Sequence, residues 1–324
     1  MNTMTKLTSA VLCGLALTAC GGGGDSPKTR TFRYEIPDPS SYDASHDLTD
    51  LPALFSREGA KGYFYHQTSY WISSSLPFVN DGSGKTYTYK LLDVPNDITD
   101  FLTQANAEGK NGYFYEAYPF ALSAYRKENG SSATYTYTSK PMPANKEDFI
   151  AQANEMGKSG FLFLPVPYYI GSSTDLVYMK NNASNATYTY HAPALPETRE
   201  DFLAQFSNEG EKGYRAFMHM DYMPDRGSFL LYVKDEMQAV IFTYQSPTTD
   251  AFIDHTTDQA NFYGAQGYVY GGYMYVGQDR QDSIDFYVKA SNNCSGWICT
   301  AFNPVVYDRL PLCSGTTGSH VKKC

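Results

Sequence analysis

Long apolar runs are the first thing this 324-residue sequence lacks. Apart from Leu7 to Leu17, no segment approaches the roughly 20 apolar residues that a membrane-crossing helix needs. Positive charge is also short: 25 Lys and Arg face 34 Asp and Glu, and no basic stripe appears. A polyanion needs clustered cations, so nucleic acid is excluded as an expected partner. Cysteine is missing from the whole interval between Cys20 and Cys294. There is no G-x-S-x-G nucleophile elbow and no H-E-x-x-H zinc pair. Gly84-Lys85-Thr86 matches only the end of a phosphate loop, with Val79 where the first glycine belongs, and Asp81-Gly-Ser-Gly84 reads as a turn. His46, His66, His191 and His255 are scattered. No reaction centre and no cofactor are expected from these residues.

What is present begins with a short positive region at Lys6 and the apolar run to Leu17, too short to span a bilayer and suited to a signal peptide. Leu17-Thr18-Ala19-Cys20 resembles the bacterial lipobox, which implies cleavage before Cys20 and acylation of its sulfur. Cys13 follows bulky Leu12 and reads as part of the apolar region. Several acyl chains, at about 0.8 kcal/mol per buried methylene, give stable anchoring to a membrane. Residues 1–19 are thus read as signal peptide and 20–30 as the lipidated cysteine with a Gly-rich tether. By the same resemblance, Gly21 after that cysteine implies passage to the outer membrane of a two-membrane host. Without residues 1–19 the chain carries 24 basic and 34 acidic residues, a net charge of −10.

The body of the chain is rich in Tyr (29) and Phe (19), which favours pleated sheet, and about 300 residues can bury a sizeable core. It contains an internal repeat. Gly-aromatic pairs recur at Gly62-Tyr63, Gly112-Tyr113, Gly160-Phe161, Gly213-Tyr214 and Gly267-Tyr268. Three residues before each stands another glycine: Gly59, Gly109, Gly157, Gly210 and Gly264. Upstream lie apolar residues at helical spacing, such as Phe101/Leu102/Ala105 and Phe149/Ile150/Ala153. Asp47, Asp97, Asn145 and Thr198 stand three residues before Asp50, Asp100, Asp148 and Asp201, the spacing of an N-cap. Gly59 and its equivalents are expected at the left-handed position after each helix.

Strands rich in alternating Tyr follow, as in Tyr87-Thr-Tyr89 and Tyr135-Thr-Tyr137. Tyr125 precedes Tyr135 by ten residues and Tyr178 precedes Tyr188 by ten, with Glu128-Asn-Gly-Ser and Lys180-Asn-Asn-Ala between them, which reads as a hairpin. Each unit is β-α-β-β, so the fold class is α+β with five tandem units over 31–290, at about 31–84, 85–132, 133–185, 186–238 and 239–290. Units this small are expected to pack into one array, either open and solenoid-like or closed as a five-bladed α/β propeller. The fifth is expected to depart most, with Trp297 to Phe302 replacing its last strand.

The residues Tyr87-Thr-Tyr-Lys90, Phe101-Leu102, Asn106-x-x-Gly109-x-x-Gly112-Tyr113 and Tyr125-Arg-Lys127 resemble a small bacterial domain of unknown function. Its pattern is a Tyr-Lys strand, a helix ending L-N-x-x-G-x-x-G-W and two strands closing in Phe-Lys-Arg. Here Tyr or Phe replaces the Trp. The resemblance implies the β-α-β-β fold and no activity. Closed, five units would be similar to the pentein ring, whose enzymes use a catalytic Cys that these repeats lack.

Residues 291–324 form a Cys-rich tail. Cys294, Cys299, Cys313 and Cys324 are disulfide candidates with three pairings open, the sequential one closing local loops. Met218, His219, Met220 and Met223 are weak candidates for a copper site, because strand alternation sets the thioethers of Met218 and Met220 against His219. Taken together, these features lead to an envelope lipoprotein that acts as a non-enzymatic binding or structural protein, with a protein or glycan partner. The alternatives are an envelope enzyme with a site assembled between repeats and a Met-based copper-binding protein.

Overall fold

A computed structural model of the chain describes residues 30–38, 50–66, 76–117, 119, 122–165, 175–222, 227–247, 256–277, 282–291 and 294–299. Cys20, its lipobox, Met223, Cys313 and Cys324 lie outside these residues. Among the described residues, five helices and five separate three-stranded antiparallel sheets alternate in tandem. Unit 1 comprises β1 (Arg33–Glu35), α1 (Leu51–Ala60), β2 (Phe64–Tyr65) and β3 (Phe78–Asn80). Unit 2 comprises β4 (Tyr87–Asp93), α2 (Ile98–Lys110), β5 (Phe114–Ala117) and β6 (Leu122–Glu128). Unit 3 has β7 (Tyr135–Pro141), α3 (Lys146–Lys158), β8 (Leu162–Leu164) and β9 (Asp175–Asn181). Unit 4 has β10 (Tyr188–His191), α4 (Arg199–Glu211), β11 (Arg215–Tyr222) and β12 (Gly227–Asp235). Unit 5 has β13 (Phe242–Gln245), α5 (Thr256–Ala265), β14 (Val269–Val276) and β15 (Asp282–Ala290).

In every sheet the third strand is central, with the first strand on one side and the second on the other. Two expectations about strands are corrected by this order. The antiparallel neighbours within each unit include its second and third strands, whereas β6 and β7 do not pair with each other and belong to different sheets. The ten-residue spacing from Tyr125 to Tyr135 is therefore the passage from one unit to the next. Unit 5 also keeps its own last strand, β15, and Trp297–Cys299 is a short 3-10 turn beyond it.

The helices start where capping chemistry sets them. Asp97, Asn145 and Thr198 accept the backbone N–H of Asp100, Asp148 and Asp201 at 2.8, 2.8 and 3.1 Å. Helix α1 differs: it starts after Asp50, whose side chain makes no cap bond, and has Pro52 in its first turn. Asp47 lies outside the described residues. At the other end the two glycines exchange the roles expected of them. Gly112 is the left-handed residue, at φ 86°, and Tyr113 N–H returns to Glu108 O at 3.1 Å, closing a Schellman turn. Gly109 stays in the helix, where a Cβ would collide with Tyr135 O of the next unit. The same division holds in all five units.

That close approach joins the units. Each helix packs on the first strand of the following unit: α1 on β4, α2 on β7, α3 on β10 and α4 on β13. Asn106 accepts from Tyr137 N–H at 2.9 Å and donates to Tyr137 O at 3.0 Å, standing in for a pairing strand along the free edge of β7. Asn154 does the same to Tyr190. Strand edges with unpaired N–H and C=O groups are sites of unwanted association, and here the preceding helix covers them.

The series does not stop at unit 5. Helix α5 packs on β1, Asn261 bonds both backbone groups of Tyr34 at 2.7 and 3.1 Å, and Phe32 N–H donates to Gly264 O at 3.0 Å. An open array would leave α5 without a following strand. The unit-to-unit contacts instead run in a cycle, with 31–38 serving as the partner of the last helix. Ala260-Asn261 thus match Ala105-Asn106 and Ala153-Asn154, so helix α5 is not the deviant one. Units 1 and 4 depart, together exchanging Ala-Asn for Phe55-Ser56 and Phe206-Ser207. Phe55 and Phe206 are fully buried and reach the ring of the next unit, Tyr89 at 5.1 Å and Tyr244 at 4.7 Å.

Candidate functional site

Five copies of one unit in one chain show which polar residues the fold itself requires. One is the Tyr at the shared position of each first strand, Tyr34, Tyr89, Tyr137, Tyr190 and Tyr244. Its hydroxyl accepts a backbone N–H from the second strand of the preceding unit: Tyr65 to Tyr89 (2.8 Å), Tyr115 to Tyr137 (2.6 Å), Phe163 to Tyr190 (2.6 Å), Ala216 to Tyr244 (2.8 Å) and Tyr270 to Tyr34 (2.7 Å). In units 2, 4 and 5 the donor sits where the hairpin register shifts by one residue, a bulge that takes an N–H out of the ladder. Burial pushes all five of these hydroxyls above the ordinary tyrosine range.

A helix Gln and a third-strand Tyr form a second repeated pair. Tyr125, Tyr178, Tyr232 and Tyr287 donate to Gln104, Gln152, Gln205 and Gln259 at 2.9 to 3.0 Å. In unit 1 both partners change at once, to Leu54 and Phe78, so neither a donor nor an acceptor is orphaned. A third repeat is a lysine reaching the helix end across the Gly-aromatic ring. Lys127 donates to Asn111 O at 2.9 Å and lies 5.6 Å from the Tyr113 ring, and Lys180, Lys234 and Lys289 lie equally over Phe161, Tyr214 and Tyr268.

Against that background a few buried polar residues have no counterpart. Arg126 in β6 occupies the position filled by Val79, Met179, Val233 and Val288 in the other central strands. Glu116, in the β5 bulge, corresponds to His66, Leu164, Phe217 and Gly271. The two form an ion pair at 2.8 Å, both nearly sealed from solvent. Three rings lie within 5 Å of the guanidinium, Phe64 (4.1 Å), Tyr87 (4.5 Å) and Phe114 (4.8 Å), drawn from units 1 and 2. Tyr89 links this pair to the framework, accepting from Tyr65 N–H and donating to the Glu116 carboxylate. Burial pushes the Glu116 carboxyl up to about 7, with Arg126 and the Tyr89 hydroxyl opposing it.

Arg215 is the second such cation. It stands where the other units have Phe64, Phe114, Leu162 and Val269, and donates to Ile298 O at 2.8 Å. Burial lowers it to about 10, against the opposing pull of Tyr244 and Tyr34. His66 meets the rings of Tyr34 and Tyr270 edge-on at 5.8 and 6.2 Å. Arg126, paired with Phe114 and Tyr89, and Arg215, paired with Val233, share the sheet face that turns away from their own helix. Over that face lies the C-terminal turn: Trp297 stacks on Tyr135 at 5.7 Å and also touches Phe114. The buried Glu116–Arg126 pair is the candidate site. In the sequence Arg126 stands within the Tyr125-Arg-Lys127 motif and Glu116 within none; aligning the five third strands shows one Arg in an apolar column.

Of the four tail cysteines, Cys294 and Cys299 are joined in a disulfide, with Cα atoms 5.4 Å apart. Met218 and Met220 are buried in the apolar core opposite Leu231 and Phe229, while His219, buried between them in the chain, reaches the Tyr275 ring at 6.4 Å. Among the described residues no three His, Cys, Asp or Glu side chains group as metal ligands, and no helix is long and apolar enough to cross a membrane. A groove of about 500 Å³ runs along the α2 to β7 junction, lined by Asn106, Lys110, Thr134, Thr136 and Asn182 among others. No family model, curated protein or solved structure matches the chain.

Proposed function

We propose that this chain is an envelope lipoprotein, acylated at Cys20, whose five-unit domain acts as a non-enzymatic scaffold for binding or support. The outer membrane is its proposed location and an envelope protein or glycan its proposed partner. One observation carries the reading: the polar groups that recur from unit to unit are consumed by bonds between and within units. In this reading each unit uses its resemblance to the small β-α-β-β domain for folding, and the ring of contacts supplies rigidity. A second reading, an enzyme with a site between repeats, is favoured only by the Glu116–Arg126 pair, which units 1, 3, 4 and 5 do without.

Two measurements test the proposal. Palmitate labelling should mark the chain and be abolished by Cys20→Ser, with the protein resisting salt extraction from membranes; undiminished labelling of the variant contradicts the anchor. Photo-crosslinkers placed at the exposed Ile241 and Phe262 should then yield a discrete envelope adduct in living cells. Absence of any adduct from both positions argues against a binding role.

A further inference from the structure

We propose that the Cys294–Cys299 turn is a redox-held strap, seated by its disulfide on the sheet face that carries Arg126 and Arg215 and released when that bond is reduced. The inference concerns how the face over Arg126 and Arg215 is covered, and stands apart from what the scaffold binds.

The strap follows β15 and touches three units as well as the segment before β1. Ile298 O receives the Arg215 side chain of unit 4 in a fully buried bond. Trp297 packs on Phe114 of unit 2 and Tyr135 of unit 3, two rings that also flank Arg126 or its neighbours. The carboxamide of Gln238, just past β12, binds Ser295 twice, accepting from its N–H at 2.8 Å and donating to its carbonyl at 2.7 Å. Arg30, ahead of β1, donates to Cys299 O at 3.4 Å. These contacts come from residues far apart in sequence, and all converge on a six-residue turn.

Those contacts come from outside the turn, and within it one backbone bond, Cys299 N–H to Gly296 O at 3.2 Å, stands beside the disulfide. Its regular structure is a single 3-10 turn, and only Ile298 and Cys299 are buried. A segment this short must lose backbone and side-chain freedom to hold Trp297 and Ile298 in place together. The disulfide removes much of that freedom in advance. The sulfurs differ in access: Cys299 is 5% exposed, whereas Cys294 is half-buried beside exposed Ser295 and Gly296. An external dithiol is thus directed to Cys294. Its thiolate bonds to the Cys294 sulfur, the bond to Cys299 breaks, and the second thiol of the reagent closes onto the first. Cys294 and Cys299 take up two protons and two electrons as thiols, and the dithiol leaves as its cyclic disulfide. Arg215 then loses the Ile298 carbonyl, and the ring faces beside Arg126 lose Trp297.

The test uses the purified acylated chain in detergent, carrying Trp71→Phe so that Trp297 is the one tryptophan, and Cys313→Ser with Cys324→Ser so that one disulfide candidate remains. Dithiothreitol should shift Trp297 emission to the red and raise its quenching by acrylamide, while far-UV circular dichroism stays unchanged and reoxidation restores both signals. Adding Cys294→Ser should reproduce the reduced state without dithiothreitol. Unchanged emission on reduction overturns the proposal, because the contacts alone would then hold the turn. Collapse of the circular dichroism overturns it as well, because the disulfide would then be holding the domain together.

Discussion

At position 126 four units of the same chain carry Val or Met, and their neighbours at the bulge include Leu164 and Gly271. Unit 3, with Leu164 and Met179, is a built example of the site without charge. Replacing a buried ion pair by packed apolar groups is often neutral or stabilising, by about 1 to 4 kcal/mol, whereas removing one partner costs about 3 kcal/mol or more. Glu116→Leu should therefore destabilise strongly in urea unfolding, and Glu116→Leu with Arg126→Met should recover wild-type stability or exceed it. A double variant worse than the single would mean that the pair is required for packing. Its pH dependence has a definite sign. A carboxyl whose folded pKa stands near 7, above its ordinary value of 4.5, binds its proton more tightly in the folded state. The contribution is full below the ordinary pKa and is lost as pH rises through about 7. Glu116→Gln should thus gain on the wild type between pH 5 and pH 8; a constant gap between the two proteins would refute the assigned shift.

The tyrosine hydroxyls set a second expectation at the level of single residues. Tyr190→Phe leaves the Phe163 N–H without its acceptor in a buried place, a loss of about 1 to 3 kcal/mol. Thermal or urea unfolding reads it, and no change would show that another group serves that N–H.

Between elements, the junction of a helix with the next first strand governs both the sequence pattern and its misreading. Asn106→Ala uncovers the edge of β7 and should cost about 1 to 3 kcal/mol, with faster amide exchange at Tyr137. Gly109→Ala places a methyl group against Tyr135 O and should cost about 1 to 3 kcal/mol through overpacking. Exchange at Tyr137 as slow in Asn106→Ala as in the wild type would contradict the edge-capping role. Helix existence, spacing and three of the N-caps were legible, because they depend on neighbours within one turn. The partner of each strand was not. Alternating Tyr residues look the same whether a strand pairs with the one before it or crosses to the next sheet, so Tyr125 and Tyr135 passed for two sides of a hairpin. The glycines failed for a related reason: Gly109 is small to admit a carbonyl from another unit, a cause that no local rule contains. The ion pair was hidden because Arg126 matched a familiar strand ending, and Glu116 lies in a bulge that shifts the alternation by one residue.

Across the whole molecule, the contact that joins unit to unit is used five times, and its fifth use returns to the first strand. Repeat arrays ordinarily have two ends, each with an atypical unit to shield it. Here no end helix needs shielding, and the residues of the closing contact, Asn261, Gly264, Tyr34 and Phe32, are the ones found at the internal junctions or close variants of them. Tyr34→Phe should consequently cost as much as Tyr190→Phe, whereas an open array would register almost nothing at that terminal position. The tail belongs to the same scale, since its disulfide-bearing turn reaches three units and the segment ahead of the first strand.

Amide hydrogen exchange at Tyr65, Tyr115, Phe163, Ala216 and Tyr270, the five donors to the tyrosine hydroxyls of the following units, tests the cycle directly. Protection at Tyr270 is expected to match that at Tyr115 and Phe163; rapid exchange at Tyr270 alone, with the other four protected, would show the array to be open.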